Sequence, residues 1–96
     1  MKIIKDIEKW YLAQCNEEWE RHFGIDIQTL ENPGWLIKID LNNTNLENKP
    51  LDEFKENYEH ETDWMICFKK KGVFEGIGGP EKLGDILNFF IKWKNS

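Results

Sequence analysis

Hydrophobic positions along the chain recur at two different periods, and the switches between them mark the elements. In residues 3–15 the side chains of Ile3, Ile7, Trp10, Tyr11 and Gln14 fall every three to four positions, flanked by Ile4 and Cys15. That spacing predicts an amphipathic helix. Residues 16–23 fit either its continuation or a capped turn, and Gly24 marks a break. Period two then takes over. Ile25, Ile27 and Thr29 alternate with Asp26, Gln28 and Leu30; beyond Asn32-Pro33-Gly34, Trp35, Ile37, Ile39 and Leu41 alternate with Leu36, Lys38 and Asp40. Proline presets φ for the first corner of a turn and glycine tolerates a positive φ at the second. The two runs therefore predict a β-hairpin with one apolar face.

Asn42-Asn43-Thr44-Asn45 is a polar turn cluster, and Pro50 excludes a central strand over residues 46–51, because it has no N–H for a ladder. Residues 51–61 place Leu51, Phe54 and Tyr58 at helical spacing within dense charge. They read as an irregular crossing with a short helix or an edge strand at most. Residues 63–69 are apolar at alternate and intervening positions alike, which predicts a central strand covered by helices on one side and by other residues on the opposite side. Lys70-Lys71-Gly72 turns the chain into residues 73–77 as a hairpin partner. Gly78-Gly79-Pro80-Glu81 opens a last helix, whose stripe is Leu83, Ile86, Leu87, Phe90 and Trp93, widened by Phe89. The expected architecture is α+β, in the order α-β-β-β-β-α. An antiparallel sheet of about four strands carries an N-terminal and a C-terminal helix, all in one domain spanning residues 1–96.

Composition adds limits. A chain of 96 residues with 40% hydrophobic and 32% charged residues supports one core. Five tryptophans and six phenylalanines let few side chains fill it. The first residues lack a signal-peptide core and no apolar run reaches the roughly 18 residues of a membrane span, so a cytoplasmic location away from membranes is expected. Cys15 and Cys67 form no Cys-x-x-Cys pair, and His22 and His60 complete no zinc pattern. Reduced, buried thiols and no metal or cofactor are the expectation. A formal net charge of −5 argues against direct nucleic-acid binding. Residues 42–63 hold seven acids (Glu47, Asp52, Glu53, Glu56, Glu59, Glu61 and Asp63) against Lys49 and Lys55, which accounts for that whole excess.

Three constellations suggest chemistry and each has a plainer reading. Gly76-Ile77-Gly78-Gly79-Pro80 before a helix invites a phosphate loop, yet it lacks the lysine and hydroxyl of a P-loop, and glycine also serves a sharp strand-to-helix turn. Cys15 with Arg21 suggests a sulfur-transfer loop, but Glu17, Glu18 and Glu20 disfavour a thiolate there. His22 and His60 have glutamates nearby and no accompanying nucleophile. The acidic segment is either a solvated face or an electrostatic dock for a basic partner, with Phe54, Tyr58 and Trp64 interleaved as anchors.

With these stretches in place the chain resembles the bacterial immunity protein 53 family. The likeness is carried by Trp10-Tyr11-Leu12-Ala13-Gln14-Cys15, Trp19-Glu20, the run from Gly24 to Trp35 and Asp63-Trp64 with Cys67. Phe74-Glu75-Gly76-Ile77-Gly78-Gly79-Pro80 and the residues from Leu83 to Trp93 complete it. The family pattern often has a glycine just after the cysteine, where this chain has Asn16. The resemblance implies a non-catalytic cytoplasmic antidote, encoded beside a polymorphic toxin and binding its toxin domain. Trp10, Cys15, Asn32, Pro33, Gly34, Trp35, Gly78, Gly79 and Pro80 are then expected as fold signature. The charge pattern makes Glu47, Asp52, Glu53, Glu56, Tyr58, Glu59 and Glu61 the expected toxin-binding residues, facing a basic surface such as a nuclease's. The alternatives are a small sulfurtransferase-like enzyme using Cys15 and a general acidic interaction domain. Monomer and dimer are both open.

Overall fold

The structure, a computed structural model, describes residues 2–96. The chain runs α1 (Lys2–Gln14), α2 (Trp19–His22), β1 (Ile25–Leu30), β2 (Gly34–Asp40), β3 (Phe54–Glu56), β4 (Met65–Lys70), β5 (Val73–Gly78) and α3 (Leu83–Lys94). The strands form one antiparallel sheet in the order β1-β2-β5-β4-β3. This is the α+β arrangement expected, with five strands rather than four. The fifth is β3, three exposed residues paired along β4 inside the crossing that charge density had made hard to read.

Strand register explains the core. Ile37 lies opposite Gly76, Ile39 opposite Phe74, and Gly76 opposite Cys67, so these side chains share the face on which α3 packs. Ile37, Ile39, Phe74, Ile86 and Phe90 are completely buried there. The Phe90 ring meets Trp10 edge-on at 5.2 Å and Phe74 at 5.1 Å, which seats α1 against α3 and α3 against the sheet. Gly76 has no side chain because a Cβ would overlap Ile86, so its role is to let α3 approach β5. Three indoles fasten loops to this frame: the Nε1 of Trp19 donates to the Asn42 carbonyl, of Trp35 to Pro80 and of Trp93 to Pro50, each at 2.9 Å.

Several expectations shift by a few residues, for physical reasons. The first helix stops at Gln14, one residue before Cys15, and Tyr11 from its supposed buried stripe is 37% exposed. Residues 16–23 are the capped turn: the Asn16 side-chain oxygen accepts from the amides of Glu18 and Trp19, while the Glu20 carboxylate accepts from those of Asn16 and Glu17. Glu17 takes a left-handed φ of 76° to close it. Gly34 does not take a positive φ; residues 31–33 make the turn, and Gly34 is needed because a Cβ there would overlap the Gly78 carbonyl oxygen. The positive φ falls instead on Lys71 and Gly72, the two-residue hairpin turn between β4 and β5. The last helix begins at Leu83, after a turn in which the Lys82 amide donates to the Gly79 carbonyl.

Among the described residues, the other sheet face carries no helix. Alternation directs Leu36, Ile77 and Ile66 away from the helices, in one row across β2, β5 and β4 that ends in Gln28 on β1 and Lys55 on β3. Leu30, Trp64, Phe68 and Val73 flank that row at half-buried positions. Ile66 is only 7% exposed, yet it lies outside the main core cluster because its neighbours are on this face. The two sides of residues 63–69 are both apolar as anticipated, with the helices on one of them.

Candidate functional site

The acidic crossing divides into a fastened half and an exposed half. Over residues 42–51, Leu46 is buried and Leu51 packs on the core. The Lys69 ammonium donates to the carbonyls of Glu47 and Lys49, and Lys49 donates to the Ser96 carbonyl at 2.8 Å. Glu47 faces inward to this turn, where its carboxylate accepts from the Asn43 amide at 3.0 Å. Of the expected toxin-binding set, Glu47 is therefore a local cap.

Residues 52–63 are exposed throughout. β3 holds their first part to the sheet, and the following loop closes on itself: the His60 amide donates to the Asn57 carbonyl at 2.8 Å. The His60 Nδ1 accepts from the amides of Thr62 and Asp63 at 3.1 and 2.8 Å. His60 is thus a loop brace. Tyr58 is 54% exposed, stands edge-on to Trp64 at 5.8 Å, and carries the Lys55 ammonium 4.9 Å over its ring. That contact joins the acidic loop to the uncovered sheet face.

Lys82, just before α3, ties the loop down, and reading the sequence did not single it out. Its side chain is buried and its ammonium reaches Asp63 at 2.8 Å, Glu56 at 3.3 Å and Asp85 at 3.5 Å. Asp85 three positions on was the available local signal; the other two partners are brought by the sheet. The hydrogen bond from Lys82, then its charge, holds the Asp63 carboxyl below the ordinary carboxylate range. Bonding to Asp63 first, against the opposing effect of burial, pushes the Lys82 ammonium up. A lowered folded-state value stabilises above the ordinary carboxylate range, and that contribution is lost as pH falls through the lowered value. The melting midpoint of the wild type is therefore expected to fall more steeply on acidification than that of Asp63→Asn. Parallel midpoint-versus-pH curves would exclude the linkage.

What remains facing water is Asp52, Glu53, Glu59 and Glu61. Glu53 has only a 4.0 Å approach to Lys55, and among the described residues the other three make no ion pair. The expected site residues thus separate: Glu47 and Glu56 have internal partners, while Asp52, Glu53, Tyr58, Glu59 and Glu61 are exposed on the segments before and after β3. Cys67 is wholly buried, and burial pushes its thiol up to about 12. Cys15 is half-buried, not buried as expected, and its Sγ donates to the Tyr11 carbonyl at 3.3 Å. The Gly79 amide is engaged with the Trp64 carbonyl at 3.0 Å, so it does not point at an anion.

The signature residues take structural places. Trp10, Gly34, Gly78 and Gly79 are buried, Trp35 is half-buried, and Asn32 and Pro33 are exposed in the hairpin turn. Pro80 is exposed but its carbonyl receives Trp35. A Cβ on Gly79 would overlap the Thr62 carbonyl oxygen, so this glycine lets the acidic loop cross behind the strand end. No helix among the described residues is long and apolar enough to cross a membrane. No curated protein and no solved structure is significantly similar to the chain. Residues 4–95, nearly the full length, match the family described as Immunity protein 53, and the chain belongs to that immunity protein family of polymorphic toxin systems.

Proposed function

We propose that this protein protects a producing bacterium by binding a cognate toxin domain in the cytoplasm and occluding it, without catalysis. The observation that carries the reading is the separation among the acids. Glu47, Glu56 and Asp63 are engaged internally, while Asp52 and Glu53 before the edge strand β3 and Glu59 and Glu61 after it are exposed. Exposed carboxylates on both sides of the edge strand favour a partner presenting lysines and arginines and speed its encounter. A nuclease domain, with a surface made for phosphates, fits that description, and the protein itself has no need to contact nucleic acid.

The test is the combined variant Asp52→Asn, Glu53→Gln, Glu59→Gln and Glu61→Gln, measured against the toxin domain encoded next to this protein's gene. Association is expected to slow by roughly tenfold or more, with a flatter dependence on salt. The melting midpoint should hold, because none of the four supports the loop. An unchanged association rate and salt slope would place the dock elsewhere.

A further inference from the structure

We infer that the uncovered sheet face is the apolar centre of the interface, and that its occupant is a toxin-domain surface whose own apolar patch is bordered by basic side chains. This rests on the toxin-binding reading and says where, on this chain, the contact is made. Leu36, Ile77 and Ile66 make a continuous apolar row through the middle three strands, with Trp64 and Phe68 beside it. Contiguous apolar surface framed by polar groups marks interaction sites on soluble domains. Here the frame is Gln28 and Lys55 at the ends of the row, and Lys38 and Glu75 along its side.

Charge decides the kind of occupant. The Tyr58–Trp64 contact sets the loop bearing Glu59 and Glu61 at the β4 border of the face. The carboxylates of Glu59 and Glu61 make no ion pair among the described residues, and a basic-rimmed partner supplies their counter-charge. Interface energy concentrates in a dry apolar centre, with charged rims mainly setting encounter and register.

Leu36→Glu and Ile77→Glu separate the two contributions, because each removes apolar contact while adding negative charge. Binding is measured against the same neighbour-encoded toxin domain. Each variant is expected to bind roughly 30-fold or more weakly, through faster dissociation, with its melting midpoint retained. Unchanged or tighter binding overturns the inference, since added acid then helps or is ignored. Should a glutamate disturb the fold, Leu36→Thr and Ile77→Thr keep strand-compatible shape, and a smaller loss in the same direction is expected; none overturns the inference. Sedimentation of the protein alone covers the other occupant. Self-association that these variants abolish, with toxin binding intact, assigns the face to a second copy instead. If the wild type does not bind the toxin domain, the toxin-binding reading fails and this inference with it. Binding that survives the substitutions sinks the inference alone.

Discussion

Phe74→Ala is expected to lower the free energy of unfolding by roughly 3–5 kcal/mol. Phe74 sits on β5, the central strand of the sheet, with no exposed surface, and its ring lies 5.1 Å from Phe90, 6.2 Å from Phe89 and 6.3 Å from Trp93. Truncation removes the transfer energy of a benzyl group and leaves a void walled by three other rings. Those rings are fixed on α3 and cannot collapse into the gap without lifting the helix. A small domain has roughly 5–15 kcal/mol in all, so the variant should be partly unfolded at modest urea. Urea titration followed by far-ultraviolet circular dichroism gives the number. A loss below about 1 kcal/mol would mean that the α3 interface is far more plastic than close packing allows. Phe74→Leu keeps most of the volume and should cost much less.

Gly79→Ala is the second large effect, and its mechanism is the reverse: one carbon too many. The added Cβ would overlap the Thr62 carbonyl oxygen, and backbone opposes backbone at this point. Nothing flexible can swing away, so the chain between Asn57 and Asp63 must move. The Gly79 amide to Trp64 carbonyl bond and the Lys82–Asp63 ion pair are then at risk together. A loss at or above the top of the roughly 1–3 kcal/mol range for overpacking is expected. Gly84→Ala is the matched control. Gly84 lies exposed in the first turn of α3 with open space around it, so alanine there should stabilise by roughly 0.5–1 kcal/mol. Equal effects of the two alanines on the denaturation midpoint would refute the crowding argument.

Much of the fold was legible because it is written in local periodicity. The alternation through Ile37 and Ile39 and the helical stripe through Ile86, Leu87 and Phe90 both appear as buried sets. What stayed illegible depends on tertiary approach. β3 has no pattern of its own; it is a strand because β4 offers an edge and because Phe54 rests on Phe89 at 5.0 Å. Gly34, Gly76 and Gly79 are marked in the sequence as turn formers, yet each is required by a neighbour distant along the chain. The acid excess of residues 42–63 was plain from counting. Which acids face outward was not, because Lys82 selects Glu56 and Asp63 through contacts made only in three dimensions. The apolar run through residues 63–69 announced two apolar sides, and the helices stand on one of them.

That one-sided cover also bears on how such a domain can change over generations. The residues that fix the fold and those on the open face occupy the same strands but point in opposite directions, and Ile66 belongs to no cluster with Phe74 or Phe90. Substitutions on the two faces share few partners, so their effects should be nearly independent. A lineage can therefore redraw the outer surface of the sheet, one side chain at a time, while the inner one keeps its volume. Inheritance of shape and divergence of recognition are carried by alternate residues of the same strands.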